Sequence, residues 1–258
     1  MTIRAKATVI FTSLALTLSS CSVKEDRDGC PCLLTVDTEQ TVEGSTLLNI
    51  VHTSQGAVAQ EELPAGTKSF STEVPRGTVC VYAFGNSDGW EMSEDGLYVY
   101  PPEGNEPGRI YAHSDIVNCN REQAWDELVM HKQWCTISMM LEDPALWEGC
   151  EFAMESSWNG FYLSDFSAVP GNTNCPVRRI SDDFLEVRVT RQGDDGLVLR
   201  VSPDGDSIAV GQVIAEAGYD WSKTALDDII LCLSESSTAV NVEIVEWEDG
   251  INDPNIEI

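Results

Sequence analysis

Within residues 133–141 the side chains Cys135, Ile137, Met139 and Leu141 fall on one face of an extended chain, opposite Thr136 and Ser138. A period of two marks a strand with one buried face; on a helix the same residues would scatter around the circumference. Such a strand requires a second layer to cover its apolar side, so the rest of the chain must supply a packed sheet.

The remaining segments meet that requirement. They are short, rich in Val, Ile, Leu and Tyr, and punctuated by Gly, Pro, Asn and Asp. Residues 33–37 and 46–52 read as the first strand pair. Turn signals follow at 63–66 and 74–77, then strands at 78–84 and 97–100, with a turn at 86–89 and a loop at 101–108. Residues 121–128 read as one or two helical turns. Asn159 and Gly160 read as a hairpin turn between strands 150–154 and 161–163. Residues 193–196 read as the turn of a second hairpin, joining 184–190 to 197–202. An extended segment at 207–216 and a helical turn at 222–228, capped by Asp220 or Ser222, lead to strands 228–233 and 239–247. The fold class expected is all-β, as two β-sandwich domains at 33–131 and 132–258.

Ahead of this body lies a leader. Arg4 and Lys6 precede an apolar run at 7–18, too short to span a bilayer, and then Ser19, Ser20 and Cys21. Small residues before a cysteine make this a lipoprotein signal: residues 1–20 are the expected signal peptide, and 21–32 the lipidated tether. The covalent lipid on Cys21 would hold the protein on a membrane, each buried CH₂ contributing roughly 0.8 kcal/mol.

Charge excludes one class of partner. The chain has 43 acidic against 15 basic residues, a formal net charge of −28, and loss of the leader's two cations would deepen it. Such a surface repels phosphate backbones, so no nucleic-acid partner is expected. The remaining cysteines, Cys30, Cys32, Cys80, Cys119, Cys135, Cys150, Cys175 and Cys232, are disulfide candidates in an exported chain, with many pairings open. Cys30 and Cys32 are too close to bond each other without strain, and each is expected to staple the start of the body to a different later strand.

No constellation for catalysis or metal binding stands out. His52, His113 and His131 are far apart, and neither a Gly-x-Ser-x-Gly elbow nor a phosphate loop is present. Asp194, Asp195, Asp204 and Asp206 read as turn residues, because the spacing of a calcium loop is missing. The expectation is a non-enzymatic protein with no metal and no cofactor beyond the lipid. Trp90, Trp158 and Trp221 stand beside turn residues, where they would suit stacking against a sugar, while Trp134 and Trp247 read as core.

The lipobox cysteine, the short charged segment, and Cys30-Pro31-Cys32 leading into a strand resemble the mature start of the fimbrillin-associated anchor (FimB-type) lipoproteins of Bacteroidales. The Pro-x-Gly turn and aromatic-bearing strand at 74–84 are similar to that family's first domain. Gly218-Tyr219-Asp220, Leu226-Asp227-Asp228-Ile229 and the strand at 242–247 are similar to its second. The resemblance implies transthyretin-like β-sandwiches in tandem. It also implies an outer-membrane lipoprotein, exposed at the cell surface, that serves as anchor or accessory subunit of a fimbria. Its partners would be fimbrial shaft or accessory subunits, and outer-membrane lipid through the acylated N-terminus. Assembly in that family proceeds by strand donation, for which Val240, Val242, Ile244, Ile256 and Ile258 are the candidates here. Lys24-Glu25-Asp26 resembles a surface-export signal and Asp206-Ser207-Ile208 an O-glycosylation site of the phylum. The competing reading is a glycan-binding surface lipoprotein of an outer-membrane uptake system.

Overall fold

A computed structural model of the chain describes residues 30–38, 44–203, 206–234 and 240–246. The strands up to residue 132 are Cys32–Asp37 (β1), Thr46–His52 (β2), Gly56–Leu63 (β3), Ser69–Val74 (β4) and Thr78–Gly85 (β5). They continue with Glu91–Met92 (β6), Tyr98–Tyr100 (β7), Tyr111–Asn118 (β8), Gln123–Glu127 (β9) and His131–Lys132 (β10). Beyond them lie Cys135–Leu141 (β11), Glu151–Tyr162 (β12), Ala168–Pro176 (β13), Arg178–Arg179 (β14) and Phe184–Val189 (β15). The described chain closes with Val198–Ser202 (β16), Asp206–Ile208 (β17), the helix Val210–Glu216 (α1), Asp228–Leu233 (β18) and Val240–Val245 (β19). The architecture is all-β, with sheets layered over buried apolar cores.

Two sheets come from the early strands, in the orders β4-β1-β9 and β10-β8-β5-β2-β3. Between them lie Leu34, Val36, Leu48, Ile50, Val79, Val81 and Val117, with Cys32 and Cys119 among them. The later strands form the order β14-β15-β11-β18-β19 and a sheet in which β12 pairs with β13 and β16. Ile137, Met139, Met154, Leu185, Val187, Leu199, Ile229 and Leu231 fill the space between these. Each such side chain contributes about 1.5–3 kcal/mol on burial. The alternation in β11 is realised as read: Cys135, Ile137, Met139 and Leu141 are all buried.

The two strand sets share one arrangement. The first strand of each, β1 or β11, sits inside a sheet, antiparallel to a middle strand (β4 or β15) and parallel to a late one (β9 or β18). Parallel pairing demands a long crossover, and here the crossover is the other sheet of the same set.

The expected boundary at 131/132 is bridged by strands. β6 and β7 leave the early set and extend the later sheet, β7 pairing with the end of β12 through Phe161↔Val99 and Tyr162↔Tyr98. A third core assembles there from both sides of the boundary: Phe84, Val99, Ile110 and Ala112 meet Phe161, Leu163 and Phe166.

Several local readings are corrected. β1 and β2 do not pair; β1 lies between β4 and β9, and β2 between β3 and β5. Residues 121–128 contain β9 rather than helical turns. Its inward positions are Ala124 and Asp126, and the buried acid blurs the alternation. Asn159 and Gly160 do not turn a hairpin: β12 runs straight through them, with irregular register against β13. Gly160, at φ +113°, serves close approach instead, since a side chain there would overlap Val99 O on β7. β15 and β16 belong to different sheets, so 193–196 is a crossover between layers. Residues 207–216 are not extended throughout: β17 gives way to α1, whose buried Val210 and Ile214 stand one helical turn apart. No helix forms at 222–228; Asp220 Oδ1 accepts from Ser222 N at 2.8 Å in an Asx turn.

Candidate functional site

Where sheets end, backbone groups are left to pair with another chain, so β19 and β9, terminal strands of their sheets among the described residues, are the surfaces of interest. β19 pairs with β18 along its whole length, from Asp228↔Val245 to Leu233↔Val240, and is the last strand of its sheet among the described residues. Val242 and Ile244 pack against the later core, while Asn241 and Glu243 are exposed. These strand-donor candidates therefore lie in a strand already paired within the chain. For Val240 the backbone alone is described. Ile256, Ile258 and the lipidation candidate Cys21 lie outside the described residues.

β9 is held on one side by parallel pairing to β1, and among the described residues no strand pairs with its other side. Its inward acid, Asp126, is stabilised by His113: Nε2 lies 3.2 Å from Asp126 Oδ2, while His113 Nδ1 accepts from Val129 N at 3.1 Å. That places the ring proton on Nε2, donated to the carboxylate. With Asp126 held inside, Trp125 points outward, 64% exposed, beside Thr35 of β1, and Leu33 two residues back is also exposed.

A buried polar junction fixes the body that carries these edges. Arg191 is 1% exposed and donates to Gln133 Oε1 (2.9 Å), Trp221 O (2.7 Å) and Thr224 O (2.7 Å). Burial lowers its pKa to about 10. The equally buried Lys132 meets Asp228 Oδ1 at 2.5 Å, which also accepts from Thr136 N at 2.6 Å. From the loop before β8, Glu106 accepts from Arg188 N (2.8 Å) and its guanidinium (3.0 Å), and lies 3.2 Å from Arg178 Nε.

The tryptophans named in the sequence do not converge. Trp90 donates to Gly108 O (3.1 Å) and packs edge-on against Phe161, Trp158 lies against Gly193, and Trp221 packs at a tilt against Tyr219 with ring centroids 4.5 Å apart. Trp134 is core, as expected, and Trp247 lies outside the described residues. Trp125, which the helical reading of 121–128 hides, is the mostly exposed tryptophan among those described.

His52 is occupied structurally, Nε2 with Arg76 O at 3.1 Å and Nδ1 accepting from Ser54 N at 3.2 Å. Among the described residues no group of His, Cys, Asp and Glu is arranged to hold a metal ion, and no helix is long and apolar enough to cross a membrane. Cys32, Cys80, Cys119, Cys135, Cys150, Cys175 and Cys232 carry free thiols in this structure, and Cys30 is exposed.

Sheets layered on buried cores, with a strand pair crossing between the sets, define a β-sandwich protein. Among solved structures the chain is similar to a candidate polysaccharide-binding protein from Bacteroides thetaiotaomicron, at 13% identity and a TM-score of 0.60, covering 85% of this chain and 100% of that one. It is similar to the fimbrial anchor protein Mfa2 from Porphyromonas gingivalis, at 12% identity and a TM-score of 0.59, with coverages of 84% and 98%. A candidate adhesin from Bacteroides ovatus is similar at 12% identity and a TM-score of 0.57, with coverages of 87% and 95%. At these identities the likeness is one of fold. No protein-family model matches the sequence, and no curated protein does.

Proposed function

We propose that this protein is a non-enzymatic surface lipoprotein that anchors or caps a fimbria and joins its neighbour by strand pairing at an open sheet edge. The observation that supports this most is the extent of the likeness to the fimbrial anchor protein, which spans 98% of that chain and 84% of this one. The resemblance of the N-terminal segment to anchor lipoproteins supports it independently, because it rests on residues 18–32 rather than on the sheets. The lipid on Cys21 supplies attachment to the outer membrane, and residues beyond Glu248 supply an exchangeable strand with Ile256 and Ile258 as its alternating apolar positions.

The test is a pull-down of the tagged, full-length protein from its native membrane. The expected result is a ladder of high-mass species that resist dissociation. Truncation after Glu248 is expected to leave a folded monomer that no longer co-purifies with the polymer; retained co-purification would exclude the tail as donor. In the same fractions Cys21→Ala is expected to move the protein from the membrane pellet to the soluble pool, and its persistence in the pellet would refute lipid anchoring.

A second reading, glycan capture, draws on the likeness to the candidate polysaccharide-binding protein and on the exposed Trp125. A lone band in the pull-down, with glycan binding lost in Trp125→Ala, would favour it.

A further inference from the structure

Cys32 opens β1 in the three-stranded sheet, and Cys119 follows the last residue of β8 in the five-stranded sheet facing it. Both are fully buried in the same core. Their positions are set by backbone pairing on either side. Cys119 N donates to Gly77 O at 2.7 Å, and Leu33 N donates to Glu122 O at 2.9 Å, which draws the start of β1 against the turn after Cys119. Within that core the Cys32 side chain adjoins the Cys119 thiol and disfavours its ionisation. Other thiols face different groups: Cys175 lies 3.9 Å from Met154 O, and Cys135 adjoins Tyr219.

We infer that Cys32 and Cys119 form a disulfide that staples the two early sheets together across their core. Of the cysteines at the start of the body, Cys30 is exposed and Cys32 points inward, so the inward one is the partner. The bond closes a loop from β1 through β8, and closing a long loop restricts the unfolded chain strongly.

Formation needs an oxidant, and a protein or glutathione disulfide supplies it. One cysteine thiolate attacks that disulfide and expels one of its thiols. The second thiolate then attacks the mixed disulfide and expels the other, so two protein thiols are oxidised and one external disulfide is reduced. Burial, with Cys32 alongside, pushes the Cys119 thiol up to about 12, so few thiolates exist at neutral pH once the core has closed. Oxidation is therefore fast during folding and slow afterwards, and the completed bond is shielded from reductants by the same core.

The test is to refold the full-length chain with oxidised glutathione, block remaining thiols, digest it and map cross-linked peptides by mass spectrometry. Cys32 and Cys119 are expected to be joined in the unmodified sequence and equally in Cys30→Ser, with the thermal midpoint falling by about 10 °C on reduction. In Cys32→Ser, Cys119 is expected to become alkylatable after denaturation. Should that variant not fold, the map of the unmodified chain and of Cys30→Ser decides alone. Cys119 recovered as a blocked thiol in the unmodified chain, or a cross-link that disappears in Cys30→Ser, would overturn the assignment.

Discussion

Arg191→Met is expected to lower stability by about 3 kcal/mol, read as a shift of the urea midpoint at unchanged m-value. Three acceptors depend on this guanidinium. Thr224 O retains a second donor, Gln133 Nε2 at 2.9 Å, but Gln133 Oε1 and Trp221 O are left facing an apolar side chain. Each buried acceptor without a partner costs about 1–3 kcal/mol, and relief from burying a charge offsets part of the loss. In a body of this size the thermal midpoint falls by about 10 °C. Arg191→Lys is expected to recover little, because one ammonium cannot reach three acceptors that a planar fork spans. The folded-state pKa of about 10 lies below the unfolded value, so the unfolded chain binds more protons only above that range. At neutral and acidic pH the group is protonated in both states, and the deficit of the variant should not vary with pH. A variant as stable as the parent would mean that the junction is not closed by this residue.

Gly160→Ala is expected to cost about 3 kcal/mol or more and to loosen the docking of β7. The added carbon would overlap Val99 O and lie 2.9 Å from Tyr100 Cα, at a backbone angle that L-residues rarely adopt. Because β7 is a short strand near its sheet's edge, the damage should concentrate in the third core. Amide exchange at Val99 and Phe161 should accelerate before that at Ile137 and Ile229. Gly149→Ala is the control: its φ is also positive, at +78°, but nothing lies within 4 Å, so only about 1 kcal/mol is at stake. Equal losses at the two sites would show that β7 does not rest on Gly160.

What the sequence discloses depends on how far the cause of each element extends along the chain. β11 is legible because its burial pattern is local and its neighbours on both sides are apolar strands. β9 is not, because its inward acid is stabilised by His113, a residue of another strand. The Asn159 and Gly160 pair carries the chemistry of a tight turn, yet its glycine answers to a strand some sixty residues earlier. The helix α1 is a short one, and its apolar residues Val210, Val213 and Ile214 span a single turn, too little periodicity to separate from a strand. At the candidate edges, β19 is visible from its alternation, whereas the exposure of Trp125 follows only from the register of β9 against β1. The juxtaposition of Cys32 with Cys119 is long-range in the same sense. No spacing rule singles it out among the cysteines.

The placement of β1 has a mechanical consequence. Any tension arriving through residues before Pro31 enters the body at the end of this strand. There the strand is laced to β4 by a six-residue register and to β9 by a five-residue one. A strand at a margin would peel away one bond at a time under such a load. A strand gripped from both sides along its length must slide against both neighbours at once, so many weak bonds share the force and yield together. At β1 such a load meets a strand held along both flanks rather than along one.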